Sequence, residues 1–143
     1  MRDNLLVLDN KHGQVKAQVE GCERSGSQGL GLALAKQLVS QGAHVTICSR
    51  SLAKLELACK ELEKERINET QKIALVSADV SSFAGAQRAI EQCSVTPDIV
   101  FCCAGGAKPG LFIEQTEADF EAAVKTDYLT ALSTAHVSQN DLT

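Results

Sequence analysis

Residues 25–51 read SGSQGLGLALAKQLVSQGAHVTICSRS, and the order of patterns in this stretch decides the fold class. A glycine-rich turn runs straight into a helical pattern, a glycine ends it, and a β-rich run follows. Between Gly29 and Gln41, Leu30, Ala33, Leu34 and Leu38 recur at helical spacing and predict an inward face, with Gly42 as the stop. Ala43–Ser49 is predicted as a strand by its β-branched content.

The same alternation continues downstream. Ser51 is placed to cap a long amphipathic helix with Leu52, Leu55, Cys59 and Leu62 inward and the charged block 61–66 outward. Lys72–Val80 is predicted as a strand, then a helix from Ser81 or Ser82 to about Cys93, with Phe83, Gln87 and Ile90 spaced along it. Asp98–Ala104 (DIVFCCA) is a continuous apolar run, the kind buried on both faces of a parallel sheet. Gly105–Gln115 is a loop with Gly-Gly and Pro-Gly turns. Thr116-x-x-Asp119 is a capping box before a helix carrying Phe120, Val124 and Leu132. Strands alternating with helices predict an α/β, Rossmann-type parallel sheet with flanking helices.

Upstream the pattern fades. A first strand is needed before residue 26, yet Gln14–Glu20 alternates only weakly. Leu5–Leu8 is a better strand by composition, but it lies about 18 residues before the glycines, too far to feed a tight turn directly. Residues 1–24 are therefore expected to be an irregular segment and 25–143 a nucleotide-binding Rossmann half-domain of about four β/α units.

Composition bounds the function. The chain has 143 residues, 44% apolar and 22% charged, which suits a globular domain and excludes a disordered tail. Fourteen basic against eighteen acidic side chains give a formal charge of −4, and aromatics are only 3%, which argues against nucleic acid as a partner. No apolar run approaches the roughly 20 residues of a membrane span. From composition alone the chain is expected to be soluble and cytoplasmic. The cysteines at 22, 48, 59, 93, 102 and 103 form no C-x-x-C pair and read as buried free thiols. The three histidines have no ligand spacing to them, so no metal site is expected.

The chemistry collects where strands end. Ser25, Gly26, Ser27, Gln28, Gly29, Leu30 and Gly31 open the first helix, where glycines admit a pyrophosphate to the free N–H groups and the helix dipole. Ser49, Arg50 and Ser51 close the second strand. An acidic residue at this point binds a ribose 2′-hydroxyl, whereas an arginine accommodates a 2′-phosphate. No carboxylate stands between Ala43 and Lys54, so NADPH is the expected cofactor rather than NADH. Asp79 and Val80 follow the third strand, and Ala104 and Gly105 the fourth. Asp79 can accept from an adenine amino group, and Ala104-Gly105 offers a flat approach to a ribose.

These stretches resemble the short-chain dehydrogenase/reductase family, whose cofactor turn is T-G-x-x-x-G-x-G, with D-V after the third strand and N-N-A-G after the fourth. The matching residues are Arg24–Gly31, Asp79-Val80 and Cys102–Gly105. GSQGLGLALAKQL, VTICSRS and PDIVFCCAGGAKPGLFIEQTEADFEAAVKTDYLTAL are similar to the 3-ketodihydrosphingosine reductases, fungal forms above all. The resemblance implies NADPH, a long-chain keto sphingoid base as substrate, and a place on the cytosolic face of the endoplasmic reticulum; a homo-oligomer is compatible with it. It implies catalysis by a serine and a Tyr-x-x-x-Lys that lie beyond Thr143, so this chain is expected to hold no catalytic residue and to be inactive alone.

The sequence departs from the family at Arg24-Ser25, where Thr-Gly is expected, and at Asp127, which stands at the family's helix asparagine. Tyr128 is not the catalytic tyrosine, because Leu132 stands four residues on. Two other readings stay open: a non-catalytic NADP(H)-binding or interaction fragment, and a reductase of another carbonyl substrate.

Overall fold

The computed structural model describes residues 5–9, 29–94, 97–105 and 109–141. Four strands form one sheet in the order β3-β2-β1-β4. They are β1 (Leu5–Asp9), β2 (His44–Ser49), β3 (Ile73–Ser77) and β4 (Ile99–Cys102). The helices are α1 (Gly29–Ser40), α2 (Leu52–Glu63), α3 (Phe83–Glu91), α4 (Glu117–Ala123) and α5 (Thr130–Asp141). A π-turn, Val124–Leu129, joins α4 to α5.

The strand order is that of one half of a doubly wound sheet. One strand differs in direction from the expected all-parallel pattern. β2 and β3 pair parallel, but β1 runs antiparallel to both β2 and β4. Hence β2, β3 and β4 all point one way, with β1 reversed between them. The long connection explains why this is permitted. A short β–α loop would force β1 to end where α1 begins. Here residues 10–28 separate the two, and Asp9 pairs with His44 at the amino end of β2. The strand lies within the segment expected to be irregular. Gln14–Glu20, the other candidate, falls outside the described residues.

Side-chain alternation along β2 feeds two cores. Val45 and Ile47 join Leu34, Ala35, Leu38 and Val39 of α1 and Leu55 and Leu62 of α2. Cys48 joins Val76, Val80, Ala86, Ala89 and Ile90, with Val137 from α5. Helices thus cover the sheet on both faces. Lys36 of α1 also pairs with Glu61 of α2 across the surface.

Several inward assignments shift. In α1 the buried stripe is Leu34, Ala35, Leu38 and Val39, while Leu30 is 48% exposed and Ala33 lies outside. Leu30 sits in the first turn, beyond the cover of the strands. Leu52 is likewise an exposed first-turn residue, and Cys59 is half-buried; Phe83, which opens α3, is exposed as well. β4 is not buried on both faces: Ile99 and Cys102 are exposed, because β4 is the sheet's edge among the described residues. Of the five described cysteines, all free, only Cys48 is buried and Cys102 is exposed. Burial holds the Cys93 thiol up at about 11, and it raises Cys103 as well. Neither is a thiolate at neutral pH.

In α4, the π-turn and α5 the large apolar residues named from the sequence lie outside. Phe120, Val124 and Leu132 face outward, together with Tyr128 and Leu129. The buried side is Thr126, Thr130, Ser133, Thr134, Val137 and Ser138. It faces α3, whose contact residues Ala86 and Ala89 are also small. Close helix approach favours small side chains on both partners. The capping box forms as expected: Thr116 Oγ1 accepts from Asp119 N at 3.4 Å, and Asp119 Oδ2 accepts from Thr116 N at 2.9 Å. Thr116→Ala should cost about 1 kcal/mol, read as a lower denaturant midpoint with an unchanged slope. An unchanged midpoint would show that the box contributes nothing.

Candidate functional site

Strand register places the candidate residues in one row. Val76, Cys48, Leu5 and Cys102 stand opposite one another across β3, β2, β1 and β4. The residues just beyond this level are Ser49-Arg50, Ala78–Val80 and Cys103–Gly105. All three groups lie past the carboxyl ends of parallel strands, where doubly wound sheets bind ligands. α1 leads into β2 through the short turn at 41–43, so its Gly29 end lies toward this edge. Ser25, Gly26, Ser27 and Gln28 lie outside the described residues.

Each residue in the row offers something different. Ser49 is buried, and its Oγ accepts from Ser51 N at 3.2 Å. Ser51 occupies the N-cap of α2 without a side-chain cap bond, contrary to expectation, because Ser49 has shaped that turn instead. Arg50 is exposed, and its carbonyl accepts from Ser77 Oγ at 3.4 Å, tying the end of β2 to that of β3. Val80 is only 1% exposed and belongs to the core, so its backbone alone can meet a ligand.

Asp79 is the best-defined polar group. Its Oδ1 accepts from Ser81 Oγ at 2.6 Å and from Ser81 N at 3.0 Å. The Ser81 hydroxyl bond is the main cause holding this carboxyl below its ordinary range. It acts against partial desolvation, and the Ser81 backbone and the charges of Arg50 and Lys125 add to it. Asp79 is therefore an ionised, oriented acceptor, as recognition of an amino group requires.

Ala104 and Gly105 are half-buried beyond β4. A Cβ on Gly105 would come 3.2 Å from Asp127 Oδ1. Asp127 thus packs its carboxylate against Gly105, and the π-turn lies over the β4 end of the row. Such single-turn widenings recur at functional sites; here Thr130 Oγ1 donates to Lys125 O at 3.3 Å across the widened turn. Tyr128, the next residue, is 63% exposed. Sequence reasoning missed Ser81, Gly85 and Lys125. Ser81 has a signal, the Asp-x-Ser spacing of an Asx-type turn. Lys125 has none, since only the fold carries it to Asp79. No group of three potential metal ligands occurs among the described residues, and no described helix is long and apolar enough to cross a membrane.

An α/β sheet in half-Rossmann order with a polar row at its carboxyl edge defines a nucleotide-binding fold. The short chain dehydrogenase profile matches residues 24–140, and the chain belongs to that family. Among relatives, it is 40% identical over 113 residues to the PIGF/3-ketodihydrosphingosine reductase fusion protein of Schizosaccharomyces pombe, covering 79% of this chain and 23% of that one. It is 34% identical over 119 residues to a 3-ketodihydrosphingosine reductase of Aspergillus fumigatus, covering 79% and 32%. A Bos taurus protein of that name is 34% identical over 108 residues, covering 73% and 32%. The chain thus spans 23% to 32% of these relatives' length. Among solved structures, a short-chain type dehydrogenase/reductase from Mycobacterium ulcerans has a TM-score of 0.68 at 22% identity, covering 78% of this chain and 42% of that one. L-Sorbose reductase from Gluconobacter frateurii, complexed with NADPH and L-sorbose, has a TM-score of 0.66 at 19% identity, covering 78% and 43%. These structures share the fold.

Proposed function

We propose that this chain is the cofactor-binding portion of an NADPH-dependent reductase that converts a 3-keto sphingoid base to its 3-hydroxy product. Arg50 is the observation that carries the cofactor choice. It follows β2 at the carboxyl edge, beside an ionised Asp79, with no carboxylate between Ala43 and Lys54. A guanidinium there pairs with a 2′-phosphate, and a carboxylate would repel it. The described residues fit the adenosine end of the dinucleotide: Asp79 for the adenine amino group, Arg50 for the 2′-phosphate, Gly105 for close backbone approach. The Gly29 end of α1 suits the pyrophosphate. Bound NADPH supplies the hydride that reduces a carbonyl carbon. The chain's own part is to hold and orient the nucleotide.

The substrate class follows from the names of the relatives. Leu132 stands where Tyr128 would need a lysine, so the resemblance assigns the proton donor to the further length those relatives possess. We assign the site of action to the cytosolic face of the endoplasmic reticulum on the same resemblance. Titration with NADPH and NADH tests the cofactor reading. NADPH should bind more tightly, and Arg50→Asp should reduce that preference by about 10- to 100-fold, the range of a hydrogen bond to a charged group. Equal binding of both nucleotides by the parent protein would refute the assignment.

A further inference from the structure

α4 and the π-turn carry an open groove of about 540 Å³, lined by Glu117, Phe120, Glu121, Val124, Lys125 and Leu129. The surface it offers is almost wholly apolar, and Phe120, Val124 and Leu129 are all exposed. The apolar surface continues into the 3₁₀ turn Phe112–Glu114, because the rings of Phe112 and Phe120 stand 5.4 Å apart. Phe112 and Ile113 are 78% and 89% exposed, so nothing among the described residues covers them. A contiguous apolar surface rimmed by polar groups marks a binding site. None of the six lining residues belongs to the row at the carboxyl edge of the sheet.

The rim decides what fits. Between Leu111 and Leu129 the sequence holds five carboxylates, Glu114, Glu117, Asp119, Glu121 and Asp127, against one ammonium, Lys125. Asp119 is engaged in the capping box, and Asp127 packs against Gly105. Glu114, Glu117 and Glu121 are exposed and outnumber Lys125. Such a rim attracts cations and repels anions. An anionic lipid surface is therefore disfavoured. So is a second copy of this chain, which would set one acidic rim against another, with one lysine from each copy against three glutamates. Size narrows the choice further. A stable protein interface engages roughly 20 to 30 residues a side. A mainly apolar groove of this volume with a few charged groups is on the scale of a small-molecule site.

We propose that this groove binds a single-chain cationic amphiphile, an alkyl chain carrying an amine. Glu117 and Glu121 lie one turn apart on one face of α4 and receive the ammonium head. Lys125 stands a turn further on, so the tail runs over Phe120, Val124 and Leu129. The keto sphingoid base named above belongs to this ligand class, and on that reading the groove holds substrate outside the cofactor row. That identification rests on the proposed function; the preference for a cationic head does not.

Calorimetric titration with decylamine and decanoate, alkyl chains of similar length with opposite head charge at neutral pH, tests the groove without cofactor or turnover. Decylamine should bind at one saturable site, at least about tenfold more tightly than decanoate. Glu117→Gln/Glu121→Gln should weaken decylamine about three- to tenfold at low salt, with a smaller effect as salt rises. Val124→Ser should weaken both probes. Glu56→Gln/Glu65→Gln, exposed positions on and just after α2, changes the total charge equally and should leave both affinities within about twofold. Equal binding of the two probes overturns the proposal. So does a decylamine affinity that the Glu117/Glu121 pair leaves unchanged, or that the α2 pair lowers as much. Sedimentation of the parent protein checks the other occupant: a dimer that Val124→Glu breaks would place a second copy in the groove and defeat the proposal. None of these outcomes bears on the NADPH reading, which the nucleotide titration tests separately.

Discussion

Replacing Gly85 with alanine should destabilise the fold by about 3 kcal/mol or more. Gly85 is the third residue of α3, and a Cβ there would lie 1.8 Å from Asp79 O and 2.7 Å from the Asp79 carbonyl carbon. No rotamer relieves a clash between two backbone segments. The cause is the cap of α3. Ser82 Oγ accepts from Gly85 N at 3.2 Å and donates to Asp79 O at 3.4 Å, so the chain from Asp79 folds back onto the first helical turn. Helix propensity alone would favour alanine over glycine by up to about 1 kcal/mol. Steric exclusion outweighs it, and the opposite signs make the test decisive. The melting temperature should fall by about 10 °C in a domain of this size. A melt within 2 °C of the parent would refute the clash.

The same substitution should reach the site. Asp79 is the residue whose carbonyl must move, and its carboxylate is oriented only two residues further on, at Ser81. Folded Gly85→Ala protein should therefore also bind adenine nucleotides more weakly. Ala84 is the control: exposed one residue away, its change to serine should move neither readout.

The alternation of strands and helices from residue 29 onward was legible because each buried stripe is long and ends in a glycine, a cap or a polar turn. The row at the carboxyl edge was legible too, since strand ends define it. Burial direction was less so. Phe120 of α4, Val124 of the π-turn and Leu132 of α5 are large and apolar yet face outward, because the interface with α3 selects for small size instead. The direction of β1 was hidden for another reason. LLVLD reads the same in either orientation, and orientation depends on the connection through residues 10–28. Lys125 and Gly85 matter through what they approach in space, and no local pattern encodes that.

Gln71 shows the same limit inside the fold, and its loss should be as costly as that of Gly85. In sequence it is one polar residue before a strand. In the structure it is 3% exposed, with every hydrogen-bonding direction of its amide used. Nε2 donates to Val39 O at 2.7 Å and to Ala43 O at 3.1 Å, at the turn from α1 to β2. Oε1 accepts from Ile67 N at 2.9 Å and from Asn68 N at 3.1 Å, in the segment between α2 and β3. One side chain therefore fastens two otherwise separate turns at the amino end of the sheet. Gln71→Met keeps the volume and removes all four bonds. Each buried backbone group left unpaired costs about 1–3 kcal/mol, less where water enters. A total near 4 kcal/mol is expected, seen as a lower denaturant midpoint. Gln71→Glu separates hydrogen bonding from packing. Its carboxylate still accepts from Ile67 N and Asn68 N but turns a negative oxygen toward Val39 O and Ala43 O. It should be at least as destabilising at neutral pH and should recover on acidification, as a protonated carboxyl regains a donor. If Gln71→Met melts like the parent, the four bonds hold nothing together, and the packing of Leu38, Val39 and Val45 alone must set this end of the sheet.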